Sequence, residues 1–248
     1  MKSLVKQLCP PILWNSLSSL KTSLKTSSNS YLSSPTILHP DRQDLDIYWD
    51  DNMAKLLDTW GEGNVWNEIQ FLMANCEGRV LDIACGTGKT MEIISKFPNI
   101  EVHGIDISDL LISKAIERGI TNSHLAIGDA TSTNYLDNFF KYSYSIGSLE
   151  HFTNEGISKF ISESYRVTEN SSFHMLPVSR SDKNEGWMKT LQSFHNNSVD
   201  WWLSKFHLSY PSVYIVDSYW NDDISVGKWF ICYKNREEAS QNANKKVD

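Results

Sequence analysis

The chain has 248 residues, of which 40% are hydrophobic, enough for one ordinary domain with a sizeable core. Its net charge is −7, although residues 1–40 contain four lysines and no acidic residue. The rest of the chain is therefore strongly acidic, which argues against a nucleic-acid partner. The four cysteines form no C-x-x-C pair, which excludes a zinc motif and a disulfide framework and favours a reducing, cytoplasmic setting.

Residues 1–40 form a basic, serine-rich segment that we separate from the domain. Its apolar stripe at helical spacing consists of Leu13, Leu17, Leu20 and Leu24. No apolar run reaches the ~18 residues that a membrane span needs. Three interpretations stay open: peripheral contact of residues 1–30 with the anionic inner membrane face, a transit peptide without arginine, or a tail or surface helix.

The spacing of apolar residues over 41–75 predicts two helices, separated by a glycine-rich break at 61–63. The stretch Arg79–Thr90 then reads R-V-L-D-I-A-C-G-T-G-K-T, a short apolar strand followed by a glycine turn and a helix start. Glycines allow a tight turn and close approach of a ligand, and a helix start offers free N–H groups. The stretch therefore predicts a nucleotide-binding corner.

Three ligands compete for this corner. A P-loop would need its first glycine at Ile83, and a dinucleotide site would need its third glycine at Met91, so each pattern fits only in part. The third pattern, D-x-[GA]-x-G-x-G, is the first motif of class I methyltransferases dependent on S-adenosylmethionine. The residues that resemble this motif are Asp82, Ala84, Gly86 and Gly88.

Later strands strengthen this resemblance, which covers about residues 45–235. A second strand ends at Asp106, whose carboxylate can accept hydrogen bonds from both ribose hydroxyls. A third strand, His124–Ala130, ends at Asp129, which in the family meets the adenine amino group, beside the Ala130 amide. A fourth strand and its exit loop span Tyr142–Phe152.

The resemblance implies an α/β fold: a doubly wound, mostly parallel, seven-stranded sheet with a C-terminal antiparallel hairpin. The domain would span residues 41–235 and be followed by a polar tail, 236–248. The resemblance also implies S-adenosylmethionine as cofactor. Tyr48 would lie beside its sulfonium, where an aromatic ring gains cation–π attraction. The predicted cofactor residues are Tyr48, Asp82, Ala84, Gly86, Gly88, Asp106, Ile107, Asp129, Ala130, Gly147 and Ser148.

Downstream, the pattern predicts a helix at Asn154–Val167, a fifth strand at Ser172–Val178 and a terminal hairpin. The intervening segment, Arg180–Phe206, is rich in tryptophan, asparagine and histidine. Two interpretations of it are compatible: a helix that buries Trp201, Trp202, Leu203 and Phe206, and a ligand-facing stretch at 195–197.

If the methyl group is transferred to a hydroxyl, a general base must remove the hydroxyl proton. His151, just past the fourth strand, is the first candidate for this base. Glu150 would orient the base or bind the acceptor, and His195 is the second candidate for the base. The pair Glu150-His151 resembles the end of an E-x-x-E-H metal motif, but Gly147 stands where the first glutamate belongs, so we predict no metal site.

Several stretches resemble enzymes of bacterial surface-polysaccharide clusters, including S-F-H-N-N-S-V-D-W-W-L and V-G-K-W-F-I-C. This resemblance implies O-methylation of a sugar or glycoconjugate. Two alternatives stay open. One is N- or O-methylation of another small molecule, and the other is a non-catalytic partner protein that binds S-adenosylmethionine.

Overall fold

The computed structural model describes residues 43–235. The predicted N-terminal segment 1–40, its membrane contact through residues 1–30 and the polar tail 236–248 lie outside the described residues. Within residues 43–235, every helix is too short or too polar to cross a membrane.

Six α-helices and nine β-strands follow one another over residues 43–235. The helices are α1 Asp51–Leu57, α2 Val65–Met73, α3 Lys89–Ile94, α4 Asp109–Glu117, α5 Asn154–Val167 and α6 Val199–Phe206. The strands are β1 Gly78–Ile83, β2 Ile100–Asp106, β3 Leu125–Ile127, β4 Phe140–Ile146, β5 Thr168–Ser179, β6 Trp187–Lys189, β7 Ser193–His195, β8 Ser212–Asn221 and β9 Ser225–Tyr233. Short 3-10 helices lie at Leu45–Trp49, Asn122–His124 and Leu149–His151.

Seven strands form one sheet in the order β3-β2-β1-β4-β5-β9-β8. The first five strands in this order run parallel, and β9 pairs antiparallel with both β5 and β8. The predicted doubly wound sheet with its C-terminal hairpin is thus confirmed. The strand order reverses between β1 and β4, and ligands bind at the carboxyl ends of the strands at such a point.

The sheet is covered on both faces, as is typical of parallel strands. Val80 and Leu81 are consecutive on β1 and therefore point to opposite faces. Leu81 packs in one core cluster with Phe160 of α5, and Val80 packs in the other with Ile69 of α2 and Met91 of α3. All five side chains are fully buried. Packing on both faces holds the strands in place, and with them the strand ends at which the site lies.

Helices that follow the strand ends begin at hydroxyl caps. The Oγ of Ser108 accepts from a backbone amide of α4 at 3.2 Å, and Thr153 caps α5 in the same way at 3.1 Å. The bounds of α5 confirm the predicted helix at Asn154–Val167. The predicted third strand is shorter than expected, because Asp129 accepts from the Thr131 amide and closes a turn soon after β3.

The segment between β5 and β8 folds as a two-stranded hairpin, β6–β7, followed by α6. Trp202 and Phe206 on α6 are fully buried, which confirms the predicted helix. The stretch 195–197, predicted to face a ligand, lines neither of the two cavities described below. All three of its residues are buried, and the Asn197 side chain accepts from the Gly186 amide at 2.8 Å. This stretch holds the hairpin on the domain.

Candidate functional site

A cavity of about 380 Å³ opens where β1, β2 and β4 end, and we call it the strand-end cavity. Its wall contains every predicted cofactor residue except Gly88. The predicted residues that line it are Tyr48, Asp82, Ala84, Gly86, Asp106, Ile107, Asp129, Ala130, Gly147 and Ser148. The carboxyl ends of neighbouring parallel strands therefore bring together residues that are far apart in sequence.

The turn after β1 has left-handed backbone at Ala84, Gly86 and Gly88, with φ of 60°, 55° and 70°. Gly86 lines the cavity, and its missing side chain leaves the backbone open to a ligand. Gly88 does not line it. A Cβ on Gly88 would lie 2.9 Å from the Cβ of Ala115 on α4, so the absence of a side chain here lets the turn pack against that helix.

Asp106 ends β2 and is 7% exposed. One carboxylate oxygen accepts from the Gly86 amide at 2.8 Å, and the other accepts from the Ser108 amide at 2.9 Å. Burial raises the pKa of this carboxyl, whereas the amide donors favour its charged form. The backbone amides hold the carboxylate at the cavity wall, where it can accept hydrogen bonds from the hydroxyls of a ribose.

Asp82 lines the same cavity and ties three elements together. Its Oδ2 accepts from Thr90 at the start of α3 at 2.6 Å and from the Tyr144 hydroxyl on β4 at 2.9 Å. Burial raises the pKa of Asp82 to about 7. This carboxyl therefore positions the glycine turn relative to β4.

The remaining wall combines apolar and polar groups. Ile107 is 39% exposed and offers a flat apolar surface of the kind that suits a purine ring. Tyr48 enters from the N-terminal side, and burial together with the charges of Glu150 and Asp106 raises the pKa of its hydroxyl. The residues present thus fit a nucleoside with a charged extension.

A second cavity of about 470 Å³ lies between α1, the β6–β7 turn and the β8–β9 turn, and we call it the hairpin cavity. The two cavities share Leu57, Trp60, Gly147 and Gln192, so they adjoin. A Cβ on Gly147 would approach the Trp60 ring to 3.2 Å, so a bare backbone is needed at this boundary. The described residues that line the hairpin cavity include neither lysine nor arginine.

Glu150 and His151 both line the hairpin cavity. His151 Nδ1 lies 2.8 Å from the Ser193 carbonyl oxygen, which can only accept, so Nδ1 carries the proton and Nε2 keeps its lone pair. His151 Nε2 is 3.7 Å from Glu150 Oε1. Burial raises the pKa of Glu150 to about 8 and lowers that of His151, so both groups are neutral near pH 7.

His195, the second predicted base, lies apart from this pair. It is 3% exposed, and its ring centroid is 4.7 Å from that of Trp187 and 5.1 Å from that of Trp201. Burial lowers the pKa of His195 to about 4. Since His195 lines neither cavity, the structure brings Glu150 and His151 together and leaves His195 in the interior.

Sequence reasoning missed most of the cover over the two cavities. Residues 43–49 form an N-terminal strap, in which Asp44 Oδ2 accepts from the Ser193 amide at 2.9 Å and from its hydroxyl at 2.6 Å. Gln43 donates to the His151 carbonyl at 3.4 Å, and Gln192 lines both cavities. Asp44 and Ser193 stand 149 positions apart, so no local pattern connects them.

Part of the chain is similar to known methyltransferases. Residues 80–171 match the family model of a methyltransferase domain. A segment of 76 residues, 29% of this chain, is 34% identical to phosphoethanolamine N-methyltransferase 1 of Triticum aestivum, and that match spans only 15% of the wheat protein.

Solved structures show the same fold. A chain from a complex that contains the Haloferax volcanii Trm112 methyltransferase activator and a candidate methyltransferase has a TM-score of 0.61 at 13% identity, covering 79% of this chain and 99% of that one. Phosphoethanolamine N-methyltransferase 2 of Haemonchus contortus, solved with S-adenosyl-L-methionine, has a TM-score of 0.60 at 15% identity over 77% and 59% of the two chains. The chain thus has the fold of these methyltransferase structures, and its residues 80–171 match a methyltransferase domain.

Proposed function

We propose that the protein methylates a hydroxyl group of a sugar or glycoconjugate, with His151 as the general base. The observation that carries the proposal is the free Nε2 lone pair of His151 at the wall of the hairpin cavity. An alcohol must lose its proton as it attacks, and a neutral imidazole is suited to accept that proton near pH 7.

S-adenosylmethionine, when bound, supplies a methyl group on a positively charged sulfur. Asp106, Asp129 and the Gly86 backbone would hold it in the strand-end cavity. The acceptor hydroxyl would enter from the hairpin cavity, and the wall shared by the two cavities is where the reacting atoms can meet in line.

The lining of the hairpin cavity favours a neutral, polyhydroxylated acceptor. Trp60, Tyr219 and Trp220 present flat aromatic surfaces, and amide, hydroxyl and carboxyl groups lie among them. Sugar rings have apolar faces and polar edges, which match such a mixed wall. Glu150 Oε2 is buried and has no hydrogen-bond partner within residues 43–235, so a small movement of this side chain would let it meet a sugar hydroxyl.

The wheat and Haemonchus proteins point to a different acceptor, a phosphorylated small amine. A phosphate group is typically held by arginine or lysine. The described lining of the hairpin cavity has neither, and Asp222 there would repel the phosphate. We therefore place the sugar hydroxyl ahead of phosphoethanolamine.

Two measurements test the proposal in sequence. Isothermal titration with S-adenosylmethionine should show binding to the wild type and its loss in Asp106→Ala. Methyl transfer should then be assayed against neutral sugars and glycosides, phosphoethanolamine and other small amines. We expect transfer to a sugar hydroxyl, and turnover should fall by about 10²-fold or more in His151→Ala with cofactor affinity preserved.

The matched control is His207→Ala, because His207 lines neither cavity and should leave turnover unchanged. Transfer only to amines would overturn the acceptor class. Unchanged turnover in His151→Ala would overturn the base. Cofactor binding without any transfer, even to water, would favour a non-catalytic binding protein instead.

A further inference from the structure

We propose that Glu101, His103 and His124 form a site for a divalent transition metal, with zinc as its first candidate. The cluster lies at the β2–β3 edge of the sheet and belongs to neither cavity. Glu101 and His103 are two positions apart on β2, so their side chains share one face. His124 immediately precedes β3, whose first residue, Leu125, pairs with the residue after His103.

The three ligand atoms lie within 4.8 Å of one another. Glu101 Oε1 is 3.0 Å from His103 Nε2 and 3.7 Å from His124 Nε2. In a tetrahedral zinc site with metal–ligand distances near 2.1 Å, neighbouring ligand atoms are separated by about 3.4 Å. The observed separations bracket this value, so small side-chain adjustments would admit the ion.

The donor set also matches the preference of zinc. Two imidazole nitrogens and one carboxylate leave a fourth position for water, an arrangement common in zinc sites. The two histidine rings already lie close, with centroids 4.6 Å apart, and the Phe140 ring packs edge-on to His103 at 5.5 Å. Because the two histidine rings are already ordered, metal binding costs less side-chain conformational entropy.

One neighbouring charge acts against a cation. Arg79 on β1 interacts electrostatically with His103, although its guanidinium is drawn over the Phe139 ring at 4.0 Å. Glu101 offsets this charge, and it is the only carboxylate in the cluster. We therefore expect micromolar rather than nanomolar affinity. Bound metal would fasten the short edge strand β3 to β2.

The test is calorimetric titration of zinc chloride into the untagged full-length protein, freed of metal by chelation. We expect one zinc ion per chain, and an affinity lower by about 10-fold or more in His124→Gln and in Glu101→Gln. Zinc should also raise the melting temperature of the wild type but not of either variant. Both replaced side chains are partly exposed, so the variants should fold.

His207→Gln is the matched control, since that histidine lies outside the cluster, with Nδ1 at 3.3 Å from the Tyr210 carbonyl. It should bind zinc as the wild type does. Absence of zinc binding in the wild type would overturn the proposal. So would equal affinity in the wild type and His124→Gln, because the ion would then sit on other ligands such as a cysteine.

Discussion

We expect Glu150 to influence how readily the neighbouring imidazole takes up a proton. Its Oε1 lies 3.7 Å from His151 Nε2, and a neutral Glu150 places no negative charge there. Once Glu150 ionises, its carboxylate should stabilise the imidazolium that forms during transfer. Because burial raises the pKa of Glu150 to about 8, we expect turnover to rise with pH through that value.

This rise can be measured as the initial rate between pH 6 and 9.5, with both substrates at saturating concentration. Glu150→Gln cannot ionise, so its profile should be flat over the alkaline range and its turnover at pH 9 about 10-fold lower than wild type. Glu117→Gln is the control, since Glu117 is 66% exposed and paired with Lys114. An alkaline rise that persists in Glu150→Gln would contradict the role.

Individual site residues were predictable where a motif fixes them at a strand end. Asp82, Gly86 and Asp106 line the cavity as the resemblance implied. Gly88 belongs to the same motif but packs on α4, because the spacing of glycines does not reveal which of them faces the ligand. The tautomer of His151 depends on the Ser193 carbonyl from a distant hairpin, and no sequence pattern encodes it.

Among the elements, the N-terminal strap has the most direct control over access to the site. Asp44 accepts two hydrogen bonds from Ser193, and its charge lies 3.4 Å from Lys189. Asp44→Ala removes this connection to the β6–β7 hairpin and should loosen the cover over Tyr48. We expect the dissociation constant for S-adenosylmethionine to rise by about 10-fold, equivalent to ~1.4 kcal/mol.

Titration calorimetry on the purified variant measures that change. Asp46→Ala is the matched control: Asp46 lies two residues further along the strap, is exposed, and makes no side-chain hydrogen bond to residues 43–235. The control should bind the cofactor as the wild type does. Equal weakening in both variants would show that the strap acts through its backbone and not through Asp44.

Long elements with a clear period were predictable, and short ones held by distant contacts were not. The amphipathic repeat of α5 predicted its bounds, and the apolar runs predicted β1, β2 and β4. The strands β6 and β7 have three residues each, too few for an alternation to stand out. They form because Asp44 and Asn197 tie them to the domain.

Across the whole molecule, several buried groups are neutral in the folded state, and this sets the pH range of stability. Burial lowers the pKa of His174 to about 3 and raises that of Asp82 to about 7. Below pH ~6.5, histidines of the unfolded chain take up protons that buried His174 cannot, so stability falls towards acid. Above that range, ionisation of buried carboxyls favours the unfolded chain.

Substitutions of single carboxyls can divide the alkaline decline between Asp82 and Glu150. Asp82 has a folded pKa of about 7, above its usual value of 3.8, so its stabilising contribution is complete below ~4 and lost as pH rises through 7. Urea unfolding of the cofactor-free protein should show a free energy of unfolding about 1–3 kcal/mol lower at pH 9 than at pH 6.

Asp82→Asn should remove part of that loss, because an amide can still accept from Thr90 and Tyr144 but carries no charge. Glu150, whose pKa of about 8 lies in the same range, accounts for the rest. In the exposed control Asp46→Asn, the free energy of unfolding should decline with pH as it does in the wild type. An identical decline in Asp82→Asn would show that the titrating group lies elsewhere, and Glu150 would be the next residue to replace.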